Sequence, residues 1–243
     1  VLTYLALHGF TQRGSMWAEV AGIAGGQWVT PDLPGHGGRP ARPWEEAVGS
    51  VAGLLRALPA PRCLVGYSMG GRLALAVALD HPGLVDRLAV VSASPGVADP
   101  QARRQRLAED LALAEHVEEI GVAGFIDEWL SRRLFGGLAA REPGWREGDR
   151  ASRLGSTTAG LAGALRLLGQ GAQPYLGDRL GELAMPVLLM AGGDDRKYAT
   201  LAEDMGRRIA RAMVAVAPGA GHALVGERPE DVAALVAGWG APQ

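Results

Sequence analysis

Gly66-Tyr67-Ser68-Met69-Gly70-Gly71 follows the apolar run Cys63-Leu64-Val65 and precedes a helix expected over Arg72 to Leu79. A strand that passes into a helix through a single serine turns so sharply that side chains two positions to either side would collide, and glycine stands at both. Ser68 is therefore expected to project from the strand end. Its hydroxyl would lie beside a helix N-terminus, where free N–H groups and the helix dipole favour negative charge.

Working outward, Val1 to Leu7 is an apolar run that ends in His8-Gly9-Phe10-Thr11. Trp28 to Thr30 leads into the turn-rich Asp32-Leu33-Pro34-Gly35-His36-Gly37-Gly38. Helical periodicity runs from Trp44 to Leu58. Leu88 to Val91, Met185 to Met190 and Val214 to Val216 read as further strands, and Glu230 to Trp239 as a closing helix. Strands alternating with helices predict a mostly parallel central sheet with helices on both faces. The alternation stops between about Pro95 and Leu183, where amphipathic helical patterns form the most arginine-dense part of the chain. An all-helical insertion after a strand end lies over the usual ligand crevice, so a lid is expected. The division predicted is core over 1–97, lid over 98–182 and core again over 183–243.

A serine hydroxyl needs a partner that titrates near neutrality, and histidine is the usual one. His222, in Pro218-Gly219-Ala220-Gly221-His222, follows the last expected strand. Asp195, with Asp194 as its competitor, follows the Met185 to Met190 strand, where a carboxylate can orient the imidazole. The order serine, acid, histidine suits a sheet of this kind. The backbone N–H groups of Phe10 and Met69 are the candidate donors to a developing oxyanion. His8 and His36 read as loop anchors, and His81 and His116 as solvated.

Composition narrows the function. The 243 residues are 48% apolar and 21% charged, as in one sizeable globular domain. A formal charge of −2 leaves no global basic field for nucleic acid or an anionic membrane surface. No run is long enough to span a bilayer, and no basic-then-apolar leader opens the chain. Val1 begins directly on a strand, so a short upstream segment or an unusual start is expected. The lone Cys63 reads as a core residue in a reducing compartment, which points to the cytoplasm. No metal-ligand spacing and no phosphate-cradling loop is present, so neither metal nor other cofactor is expected. A monomer or weak homo-oligomer is the expected state.

The motifs at His8-Gly9-Phe10, Asp32 to Gly37, Gly66 to Arg72 and Gly221-His222 together resemble the 2-succinyl-6-hydroxy-2,4-cyclohexadiene-1-carboxylate (SHCHC) synthases of menaquinone biosynthesis, in the α/β-hydrolase superfamily. The resemblance implies an α/β-hydrolase fold and a lyase that expels pyruvate from a succinylated cyclohexene dicarboxylate. The Ser68, His222 and Asp195 triad would then act as a base. It further implies binding of a small polycarboxylate through Tyr67, Arg72, Arg106, Trp129 and Arg153. Arginine forks are the chemistry that matches carboxylates. Ala223-Leu224-Val225 departs from the asparagine or second histidine that many members carry after Gly221-His222. The residues by themselves equally allow a serine esterase or lactonase acting through an acyl-enzyme on a small ester or lactone. A non-catalytic ligand receptor is the third reading, and such proteins tend to lose a triad member.

Overall fold

The computed structural model describes residues 2–239, so Val1 of the first expected strand and positions 240–243 lie outside it. Six strands form one sheet: β1 (Thr3–Leu7), β2 (Gln27–Val29), β3 (Arg62–Tyr67), β4 (Arg87–Val91), β5 (Val187–Gly192) and β6 (Ala212–Ala217). Their order is β2-β1-β3-β4-β5-β6, and every pairing is parallel. Helices α1 (Ala18–Ala24), α2 (Trp44–Ala57) and α3 (Met69–Asp80) belong to the first half of the sheet. Next come α4 (Pro100–Ser131), α5 (Pro143–Arg153) and α6 (Thr158–Leu168), then α7 (Arg196–Gly206), α8 (Leu224–Glu227) and α9 (Pro229–Gly238).

Strand β3 is buried from Cys63 onward because helices cover both sheet faces. On one face Leu5, Leu7, Leu64, Leu88, Val187 and Leu189 pack with α2, α3 and α7 residues; on the other, Ala6, Val65, Val91 and Leu188 pack with Val20, Val232 and Val236. From β1 the chain moves to one side to make β2, then crosses back to place β3 on the other side of β1. The strand order thus reverses between β1 and β3, the crevice where open α/β sheets bind ligands. Leu7 pairs with Gly66 there, so the loops beginning at His8 and Ser68 emerge side by side.

Element boundaries moved for local reasons. Helix α3 starts at Met69, earlier than the periodicity predicts, because Gly70 and Gly71 lie inside its first turn. Strand β5 starts at Val187, later than Met185, because Pro186 has no N–H to give the ladder, although its carbonyl accepts from Leu88 N at 3.1 Å. Between Pro100 and Glu182 the described residues form helices and turns only. Asp99 caps α4 by accepting from Ala102 N, and Thr157 caps α6 by accepting from Gly160 N. Helix α4 bends at Gly121, whose φ of 73° is left-handed and suits glycine. The bend lets Ala114, Val117, Phe125 and Ile126 close on Leu161, Ala162 and Leu165 of α6. Among the described residues no helix is long and apolar enough to cross a membrane.

Candidate active site

Ser68 joins β3 to α3 with φ 50° and ψ −110°, a conformation a non-glycine residue adopts only when its surroundings impose it. Those surroundings are the two glycines. A Cβ on Gly66 would run into the Gly70 carbonyl, and one on Gly70 into the Leu7 carbonyl. The strained turn places Ser68 Oγ 3.1 Å from His222 Nε2, and His222 Nδ1 2.7 Å from Asp195 Oδ2. An ionised carboxylate only accepts, so Nδ1 carries the proton and Nε2 is left to accept from the serine hydroxyl. The structure thus brings together Ser68, His222 and Asp195, and leaves Asp194 exposed.

The loop that carries the imidazole is held by Glu227, whose carboxylate accepts from Gly221 N at 2.6 Å and from Ala223 N at 3.1 Å. The two backbone groups flanking His222 are therefore tied to one side chain. Asp195 is set at its own height by Asp194 N donating to Ala220 O at 3.0 Å.

The loop after β1 is fixed by two histidines in a reciprocal arrangement. His8 Nε2 accepts from Leu33 N at 2.8 Å, and His36 Nε2 accepts from Thr11 N at 3.1 Å. Their Nδ1 atoms face the Gly9 and Pro34 carbonyls. Each loop is anchored by the histidine of the other, and both rings must stay neutral to accept. Burial pulls their pKa values down from 6.5, to about 4 for His8 and about 3 for His36. The N–H groups of Phe10 and Met69 are engaged in no hydrogen bond among the described residues.

Above Ser68 lies a cavity of about 420 Å³, lined by Phe10, Tyr67, Arg72, Arg106 and Trp129 among others. Arg72 is buried and donates to Gln173 Oε1 at 3.0 Å and Leu168 O at 2.8 Å. Desolvation pulls its pKa to about 10, so it stays charged at neutral pH, with only neutral acceptors in the hydrogen bonds it makes. Arg106 behaves differently. It grips the buried Asp110 through Nε at 2.8 Å and a second nitrogen at 2.7 Å, leaving Nη1 to Gln170 at 3.2 Å. Tyr67 sits 5.6 Å from the His222 ring, and burial pushes its phenol pKa up.

Arg153 does not reach the cavity wall. It lies behind Phe135, donating to Asp149 and to Thr11 Oγ1, while Nη2 is buried without a partner among the described residues. Trp129 Nε1 and Gln12 Oε1 are likewise buried and unpartnered.

The cavity also recruits residues that the sequence reading missed: Gln12, Arg132, Phe135, Lys197 and Tyr198. Arg132 stacks 4.3 Å over Trp129. Tyr198 lies 4.5 Å from His222, and its hydroxyl accepts from Gln170 at 2.9 Å. One signal was available for Tyr198: it follows Asp195 by three residues, close to one helical turn. None marked Glu227, whose partners are backbone groups.

A serine on this turn, at the reversal of a parallel sheet and bonded through histidine to an acid, defines the α/β-hydrolase class of enzyme. A model of the alpha/beta hydrolase family matches residues 5–235. An SHCHC synthase of Salmonella heidelberg is 33% identical over 93% of this chain and 88% of its own, and that of Serratia proteamaculans is 30% identical over 89% and 84%. The solved structure of MenH from S. aureus superposes with a TM-score of 0.92 at 26% identity, covering 98% of this chain and 92% of that one. A malate-bound thermophilic esterase from Thermogutta terrifontis follows with a TM-score of 0.84 at 27% identity, over 98% and 89%. The chain belongs to the α/β-hydrolase family and, within it, to the SHCHC synthases.

Proposed function

We propose that this chain is a carbon–oxygen lyase that eliminates pyruvate from 2-succinyl-5-enolpyruvyl-6-hydroxy-3-cyclohexene-1-carboxylate to give SHCHC, a step of menaquinone biosynthesis. One observation carries the reading beyond family membership: the Ser68–His222–Asp195 chain, linked at 3.1 and 2.7 Å, opens into a cavity whose wall sets Arg72, Arg106, Arg132 and Lys197 against Glu109, Asp110 and Asp195. Asp110 is taken up by Arg106 and Asp195 by His222, so cationic charge is left over that suits a substrate with several carboxylates better than a neutral ester.

In this reading Ser68 Oγ takes the proton next to the succinyl ketone as its own proton passes to His222 Nε2. Asp195 steadies the imidazolium that results. The enolate oxygen is held by the N–H groups of Phe10 and Met69, and its electron pair then expels the enolpyruvyl oxygen. The departing group takes back a proton and leaves as pyruvate, which resets the triad. No acyl-enzyme forms, and no metal or cofactor is needed.

Tyr67 and Arg72 lie at the cavity floor beside the serine. Arg106, Arg153 and Trp129 come from the lid, taken as residues 98–182 between core segments 1–97 and 183–243. Arg153 Nη2 and Trp129 Nε1 are two buried donors near the Phe135 ring without partners among the described residues, and a substrate carboxylate that reached them would supply one. A small biosynthetic acid as substrate and a single buried Cys63 fit a cytoplasmic enzyme, monomeric or weakly associated, that binds neither nucleic acid nor membrane.

The test is to supply the purified protein with the succinylated dicarboxylate and follow pyruvate. Arg72→Ala is expected to lower its turnover by about 100-fold or more, the scale for leaving a buried carboxylate unpaired, but that of a neutral aryl ester by less than about tenfold. Equal losses on the two substrates, or rapid ester turnover with no pyruvate from the dicarboxylate, would favour the acyl-enzyme hydrolase.

A further inference from the structure

Lys197 is the only lysine among the 24 basic residues of the chain, and it lines the cavity that contains Ser68 and His222. It stands in the first turn of α7 beside Arg196, directly after Asp194 and the N-cap Asp195, whose carboxylate is taken up by His222. A helix N-terminus carries partial positive charge, so two cations here gain nothing from the helix itself. Among the described residues its ammonium makes no ion pair. It lies 5.5 Å from the ring of Tyr198, which in turn lies 4.5 Å from His222.

Two of the other cations of the wall are already hydrogen-bonded: Arg106 is held by Asp110 and Gln170, and Arg72 is buried against Gln173 and the Leu168 carbonyl; Arg132, from the helical segment, lies over Trp129. Planar forks fixed in this way suit carboxylates that remain on the product. Lys197 is exposed and on the core side, with a flexible stem and a point charge that grips an anion without a fixed two-point geometry and lets it go. Lys197 thus combines a place on the wall of the triad's cavity with contact to solvent.

We propose that Lys197 binds the carboxylate of the departing enolpyruvyl group, holding it while the carbon–oxygen bond breaks and releasing it as pyruvate; this rests on the lyase reading above. Lys197→Ala and Lys197→Gln are expected to lower kcat/KM for the succinylated dicarboxylate by about 10- to 100-fold, the size of a lost charge-assisted contact. They should also weaken product inhibition by pyruvate at least about tenfold. Inhibition by succinate, which mimics the arm that stays on the product, should be unchanged. Lys197→Arg should restore kcat/KM to within about threefold, because the charge returns without the same reach. As the residue is exposed at a helix start, these variants should melt at or above the wild-type temperature. In the wild type, acetylation of the single ε-amine, read by peptide mass spectrometry, should be slowed by pyruvate and not by succinate.

Ala and Gln variants within about twofold of wild type, equal loss of pyruvate and succinate inhibition, or labelling indifferent to pyruvate would each overturn the assignment. A wild-type protein that releases no pyruvate at all would remove the lyase reading and this inference with it. Normal release by the wild type and by the variants alike removes the Lys197 assignment alone.

Discussion

The polar groups around Ser68 and those of the helical segment above it are held by different means. At the sheet end, His8, His36 and Glu227 each take backbone N–H groups, and His222 takes a buried carboxylate, so the path of the chain itself sets their positions. In the helical segment, Arg150 meets Asp127 and Arg166 meets Glu118 through paired side-chain bonds at the surface, where water and salt compete. Chemistry that depends on tenths of an ångström lies on the first kind of support, and the helical segment that covers the cavity relies in part on the second. Perturbing each support separately should therefore give effects of very different size.

The largest belongs to the triad. Ser68→Ala should leave the fold intact and lower pyruvate release by about 10³-fold or more, and Asp195→Asn should lower kcat by a comparable factor by allowing the wrong imidazole tautomer. Circular dichroism checks the fold, and residual release above about a tenth of wild type in Ser68→Ala would remove the serine from the mechanism. Next comes Glu227. With two N–H groups released around His222, Glu227→Ala should lower kcat about tenfold or more with little change in KM, since geometry rather than binding is lost. Glu227→Gln keeps one acceptor and should fall between; a rise in KM at constant kcat would contradict a positioning role.

The histidine pair gives an effect on stability. Unfolded imidazoles take up protons near pH 6.5, the folded rings only near 4 for His8 and 3 for His36. The unfolded chain therefore binds more protons as pH falls through that window, and folding loses up to about 1.4 kcal/mol per pH unit for each ring. Denaturant titrations should show stability declining from about pH 6.5 toward pH 4, and His36→Gln should flatten the slope whatever its effect at neutral pH. A slope identical in the two proteins would mean that His36 titrates alike folded and unfolded.

Legibility in the sequence divided along the same line. Glycine on both sides of Ser68, the order Ser68, Asp195, His222 and the loop anchors His8 and His36 are backbone constraints, which leave marks at fixed spacing. Element starts were misplaced by two or three residues, at β5 where Pro186 withholds an N–H from the ladder and at α3 where the elbow glycines fall inside the first turn. The cavity wall was harder. Arg106 and Arg153 read alike as lid arginines, yet one lines the cavity and the other lies behind Phe135, because Arg106 on α4 is held by Asp110 and Gln170 whereas Arg153 at the end of α5 is held by Asp149 and Thr11. Arg132 and Lys197 reach the wall through tertiary folding alone, and neither carries a local pattern that announces it.

The smallest effect is expected where the sequence looks most charged. Arginine density in the helical segment reads as a cationic cover, but much of that charge is spent: Arg141 on Glu19, Arg150 on Asp127, Arg153 on Asp149 and Arg166 on Glu118. The pairs at Arg150 and Arg166 lie in water, and exposed pairs gain little because two long side chains must be ordered for a screened attraction. Arg166→Gln and Arg150→Gln should therefore leave both the melting temperature and kcat/KM unresolved from wild type, at low salt as at high. Arg106→Gln, by contrast, strips a buried Asp110 of its cation, leaving it only the Gly171 N–H, and should destabilise the fold as well as the site. Should the two exposed variants melt several degrees lower and Arg106→Gln not, the contrast between backbone-held core and ion-paired cover would have to be redrawn, with the surface pairs fixing where the lid sits.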